Sequence, residues 1–139
     1  ARSAYVPIYA EALQALGTER SLVVCGDEGL DELSLAGGND VASLSPGGVD
    51  LLRWTAADAG LPSHPVSALR GGDAHHNAAA LRALLLGETG AYRDAVLFNA
   101  AAALLIAGEV TTLIDGVEEA AEAIDKGLAK ALLDCWIAF

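Results

Sequence analysis

The chain of 139 residues is long enough for one domain with a sizeable core, which would bury roughly 70% of the surface its unfolded form exposes. Hydrophobic residues make up 53% and aromatics 5%, so closely packed helices of Ala, Leu, Val and Ile are expected, yet no run reaches the roughly 20 apolar residues of a membrane span. The formal net charge of −11, with no basic stripe, disfavours nucleic acid and acidic membrane surfaces as partners.

In chain order, residues 4–16 carry Val6, Ile8, Tyr9, Ala12, Leu13 and Leu16 largely at helical spacing, with Gly17 as a stop. Pro7 is tolerable in a first helical turn. Residues 21–25 read as a short buried strand, giving one helix-to-strand step of an α/β layer. Residues 26–38 form a loop rich in Gly and Asp, with a short helical turn expected around Leu33. Asp40 to Leu44 and Val49 to Trp54 flank the turn Ser45-Pro46-Gly47-Gly48 and are expected to pair as an antiparallel hairpin. Thr55 to Pro65 is a loop with at most one helical turn, at 56–59.

The second half reads as helical. Gly71-Gly72-Asp73 precedes a helix over 74–86, ended by Gly87. Arg93 to Ala107 is apolar almost all round, so it is expected to be central and buried. Its one polar interruption, Asn99, should bridge to a neighbouring loop. Thr112 and Asp115 resemble a capping box opening a helix with Val117, Ala120, Ala121 and Ile124 on one stripe. Gly127 breaks it, and a last helix runs to about Ile137.

Cys25 and Cys135 lie near opposite ends with no Cys-x-x-Cys pair. They read as reduced, buried thiols, and the opening residues lack the order of a secretory signal, so a cytoplasmic protein is expected. The chain has no methionine and opens on Ala1-Arg2-Ser3 inside a helical pattern. It is therefore expected to be a fragment.

The run Gly29-Leu30-Asp31-Glu32-Leu33 carries the sharpest chemical signal. Two adjacent carboxylates in a glycine-flanked turn after a strand leave oxygens free for a hard divalent cation, the usual handle on a diphosphate. The bland reading is an exposed acidic patch, which Asp27 and Glu28 just before would simply extend. The spacing lacks the ladder of a calcium-binding loop. Gly71-Gly72-Asp73 could present a helix N-terminus to an anion, but Asp73 already supplies the negative group as an N-cap. His75 and His76 point apart on a helix and lack an i+4 partner, so they are not read as ligands. No nucleophile-with-base arrangement, Walker loop or dinucleotide fingerprint is visible.

Several motifs together resemble one family. They are Leu22-Val23-Val24-Cys25-Gly26 with Gly29-Leu30-Asp31-Glu32, Gly71-Gly72-Asp73 with Asn77-Ala78, Leu86-Gly87, Arg93-Asp94 with Leu97-Phe98-Asn99-Ala100-Ala101, Gly116-Val117, and Ile124-Asp125-Lys126-Gly127. In that order and spacing they resemble the C-terminal part of the anthranilate phosphoribosyltransferases. The resemblance implies an α/β fold: a partial domain of the nucleoside phosphorylase/phosphoribosyltransferase type, with a short sheet containing an antiparallel hairpin and a helix-rich C-terminal half. It covers nearly all of 1–139, a single domain read as the C-terminal fragment of a larger enzyme. It implies transfer of the phosphoribosyl group of phosphoribosyl pyrophosphate to anthranilate in tryptophan biosynthesis, with magnesium held by Asp31 and Glu32. It also implies a homodimer formed through a helical domain outside this chain. The family's phosphate-binding glycine loop and anthranilate contacts are expected upstream of Ala1, so the fragment alone is expected to be inactive.

Two departures stand out. Family members commonly have histidine where this chain has Cys25, and an acidic residue where it has His76, which should weaken the cap slightly. Two other readings compete: a pyrimidine nucleoside phosphorylase, and a non-enzymatic binding relative of the same fold.

Overall fold

The computed structural model describes residues 1–139. The ordered elements are α1 (Val6–Ala15), β1 (Ser21–Gly26), β2 (Asn39–Ser45), β3 (Gly48–Trp54), α2 (Ala74–Leu85), α3 (Ala91–Ala107), α4 (Leu113–Asp125) and α5 (Leu128–Ala138). Short 3-10 turns at Ser3–Tyr5, Ala56–Ala59 and Val66–Leu69 complete the set. The turn at 56–59 is where the sequence allows one, and Thr55 and Asp58 cap it reciprocally.

The strands form an antiparallel meander in the order β1-β2-β3. The expected hairpin is present, with Val41 opposite Leu52 and Leu44 opposite Val49. β1 joins its other side, with Val24 opposite Val41. Because side chains alternate across a strand, the sheet offers two apolar faces. Val23, Cys25, Ala42 and Val49 meet Val6 and Ala10 of α1. Leu22, Val24, Val41 and Trp54 meet Phe98, Ala101 and Ala102 of α3. The sheet is thus a middle layer, with α1 on one face and the helical half on the other.

A second cluster, Leu84, Leu85, Leu97, Ala120 and Ile124, joins α2, α3 and α4. The expected α4 stripe is there, and it extends through Gly116 to Leu113. Gly116 permits the close approach of α3, because a Cβ at that position would lie 2.8 Å from the Ala101 Cα. The side chains of Arg93 and Asp125 add a link between the same two helices. Arg93 Nη2 donates to Asp125 Oδ2 at 2.9 Å, while Nη1 lies 2.9 Å from Oδ1 but is not aligned for a hydrogen bond.

The structure differs from these expectations at several points. No helical turn forms around Leu33, because its backbone groups bond to a side chain of α3 instead of to their own neighbours. β1 is mostly half-buried, since β2 covers only one of its edges. Helix α3 begins at Ala91 and leaves Ala103 and Ala107 exposed, so it is central but not covered all round. On α1 only Val6 and Ala10 are buried, and Ile8, Tyr9 and Leu16 face outward, away from the sheet. Of the two thiols, Cys25 is buried and Cys135 is exposed. No helix is long and apolar enough to cross a membrane.

Candidate functional site

The carboxylate loop, residues 27–38, leaves the end of β1 and returns to the start of β2. Its two ends are tied to each other and to the sheet. Asp27 N–H donates to the Gly38 carbonyl at 3.0 Å, and Gly38 N–H donates to Asp27 Oδ2 at 3.0 Å. Arg53 on β3 lies across this junction and donates to Asp27 Oδ2 at 2.5 Å and to Asp40 Oδ1 at 2.6 Å. The Arg53 hydrogen bond holds the Asp27 carboxyl below its ordinary value of 3.8, opposed by partial desolvation. Because that value is lowered in the fold, the tie is complete above pH 3.8 and is lost only as pH falls through the lower value.

The middle of the loop is pinned by buried groups. Leu33 and Leu35 plug into the core beside Phe98. Asn99 of α3 binds both backbone groups of Leu33, accepting from its N–H at 2.9 Å and donating to its carbonyl at 3.1 Å. The bridge expected of this amide is therefore made, and its partner is the carboxylate loop itself. Asn39 does the same to Ser34, at 2.7 and 3.0 Å. On the far side the Leu35 carbonyl accepts from Ser63 Oγ at 2.8 Å and His64 N–H at 3.2 Å, and the His64 ring sits 2.7 Å from Asp94 on α3. Gly26 lets the chain fold back so tightly, because a Cβ there would lie 2.9 Å from the Ser34 Cβ.

Asp31 and Glu32 stand just before these anchors, and both are exposed. Their carboxylates make no salt bridge and no side-chain hydrogen bond, whereas Asp27 is paired with Arg53 and Glu28 accepts from the Ser34 hydroxyl at 3.0 Å. Hence the only unengaged acids of the loop are the pair singled out in the sequence. Their oxygens suit a hard cation. No third His, Cys, Asp or Glu is grouped with them for a closed site. That donor set fits magnesium, which takes one or two carboxylates and fills its octahedron with water and phosphate oxygens.

The other candidate residues stay structural. Asp73 caps α2 by accepting from His76 N–H at 2.8 Å, so the cap forms despite histidine at that position. Asn77 adds to it, accepting from Gly72 N–H at 2.9 Å and returning a hydrogen bond to the Gly72 carbonyl at 3.1 Å. Thr112 caps α4 through Asp115 N–H at 3.1 Å. Cys25 packs on the α1 face of the sheet, with its thiol against the Gly26 carbonyl at 3.5 Å. Neither departure from the family pattern reaches the carboxylate pair. Sequence reasoning missed Arg53, Asn39 and His64. Only Asn39 left a signal, a polar residue at the start of a strand whose next face-mate is the apolar Val41.

Residues 1–130 match the family described as glycosyl transferase family, a/b domain. The chain belongs to that glycosyl transferase family. Among its curated relatives, the anthranilate phosphoribosyltransferase of Sphingopyxis alaskensis is 70% identical over 139 residues, all of this chain and 42% of the relative. That of Novosphingobium aromaticivorans is 70% identical over 138 residues, again 42% of the relative. Among solved glycosyl transferases, the anthranilate phosphoribosyltransferase of Thermus thermophilus superposes with a TM-score of 0.87 at 39% identity, covering 97% of this chain and 40% of that one. The Saccharomyces cerevisiae enzyme in complex with PRPP and Mg gives 0.84 at 25% identity, covering 93% of this chain and 38% of that one. The chain thus spans about two fifths of the length of these relatives.

Proposed function

We propose that this segment supplies the metal carboxylates of an anthranilate phosphoribosyltransferase. The longer protein would move the phosphoribosyl group of phosphoribosyl pyrophosphate to anthranilate, a step of tryptophan biosynthesis. The relatives support the reaction, and the observation that carries the site is the Asp31–Glu32 pair, unpartnered on a loop pinned at both ends. The two carboxylates would hold a magnesium ion, whose chemistry when bound would be charge stabilisation of the pyrophosphate leaving group. The chain's own residues do the rest. Asp31 and Glu32 would hold the ion, and Arg53 pairs with both Asp27 and Asp40 and offsets one of their two charges, so that less of the local negative charge opposes an anionic substrate. The outer edge of β1, which has no strand partner within 1–139, is where we place the remaining sheet of the longer protein. The 139 residues alone are proposed to be inactive.

The test uses the full-length protein with phosphoribosyl pyrophosphate and anthranilate. Phosphoribosylanthranilate should form with magnesium, cease to form after chelation, and return when magnesium is restored. Absence of product at saturating magnesium, or product indifferent to chelation, would overturn the reading. Phosphorolysis of uridine in its place would favour the nucleoside phosphorylase.

A further inference from the structure

Two asparagine side chains grip consecutive residues of the carboxylate loop. Directly after Glu32, Asn99 holds Leu33 at both its N–H and its carbonyl, and Asn39 holds Ser34 in the same way. Each amide spends its second N–H on a regular element: Asn99 on the Ala95 carbonyl of α3 at 3.0 Å, Asn39 on the Trp54 carbonyl of β3 at 3.2 Å. Both hydrogens and the oxygen of each amide are therefore engaged, and neither can turn over without facing donor to donor. Asn39 is fully buried. The backbone that carries the two carboxylates is thus tied to a helix and a strand that belong to the core.

Magnesium demands near-ideal octahedral geometry and dehydrates reluctantly, so two ligands on one short loop serve it well only if the loop is already in place. We infer that Asn39 and Asn99 are positioning residues, presetting the Asp31–Glu32 backbone for the metal. The inference rests on the metal reading of that pair.

The first test needs no variant. In the metal-free full-length protein, the Leu33 and Ser34 amides should be protected from hydrogen exchange to the same degree as with magnesium. Protection that arises only on adding magnesium would mean that the ion orders the loop, and would overturn the inference. The second test titrates magnesium in Asn99→Ala and in Asn99→Asp, which keeps an oxygen for Leu33 N–H and loses the donor. Outer-shell partners are typically worth 10–100-fold in metal affinity. The magnesium concentration for half-maximal activity should rise by about that factor, with kcat recovered at saturating magnesium. A merely structural role would lower kcat at every magnesium concentration and leave the midpoint in place, which would sink the idea. Asp31→Asn with Glu32→Gln is titrated beside them. If that double variant shifts the midpoint and the Asn99 variants do not, positioning fails and the metal reading stands. If none of them shifts it, both fail.

Discussion

Exchanging Asp31 for Asn and Glu32 for Gln in the full-length protein is expected to cut the rate of phosphoribosyl transfer by at least about a hundredfold at physiological magnesium. The size follows from the several kcal/mol that a metal contributes to charge stabilisation, at about 1.4 kcal/mol per tenfold. Stability should hardly change. Both side chains are exposed and neither has a partner to lose, and surface exchanges of that kind fall within about 0.5 kcal/mol. Removing two negative charges from a chain of net charge −11 also relieves some self-repulsion. Steady-state kinetics across a magnesium titration, with a denaturation curve of the same sample, checks both halves. Loss of activity together with a large loss of stability would point to a structural role for the pair.

Phe98→Ala is expected to have the largest effect on stability, about 3–5 kcal/mol. The ring has no exposed surface and lies at the centre of the cluster that joins α3 to Leu33, Leu35 and Val41. Its neighbours Ala101, Ala102, Ala56 and Ala59 are too small to fill the gap. Helix α3 cannot settle into the space either, since one turn from Phe98 its Ala101 is already in close contact with Gly116 of α4. The cavity would open beneath the carboxylate loop, so magnesium dependence should worsen along with the unfolding midpoint. Chemical denaturation measures the first effect and a magnesium titration the second. A loss below about 1 kcal/mol would show that the core relaxes around the site, contrary to the packing described.

What the sequence made legible was local. Helices α2 and α4 follow from their apolar period and from Asp73 and Thr112, whose caps form through contacts three residues apart. The β2–β3 hairpin follows from Ser45-Pro46-Gly47-Gly48 between two short apolar runs. The carboxylate pair and the bridging role of Asn99 were also legible, one as two acids in a turn, the other as a lone amide in an apolar helix. What stayed hidden was long-range. Asn99 meets Leu33 across 66 positions, and Arg53 meets Asp27 across 26. No local period encodes such pairs. Arg53 reads as an ordinary outward residue of a strand, and Asn39 as a polar residue where a strand begins, with nothing local to name its partner. The loop therefore read as an exposed acidic patch with a helical turn around Leu33, when in the fold two amides from α3 and β2 hold it in a series of tight bends.

The metal's position decides whether Asp31 and Glu32 are its ligands. Crystals of the full-length protein grown with manganese and pyrophosphate, measured at the manganese absorption edge, would locate the ion by its anomalous signal. A peak is expected within about 2.5 Å of a carboxylate oxygen of Asp31 or Glu32, with pyrophosphate oxygens completing the shell. Manganese bound to pyrophosphate with both carboxylates out of reach of the ion and of its waters would contradict this assignment.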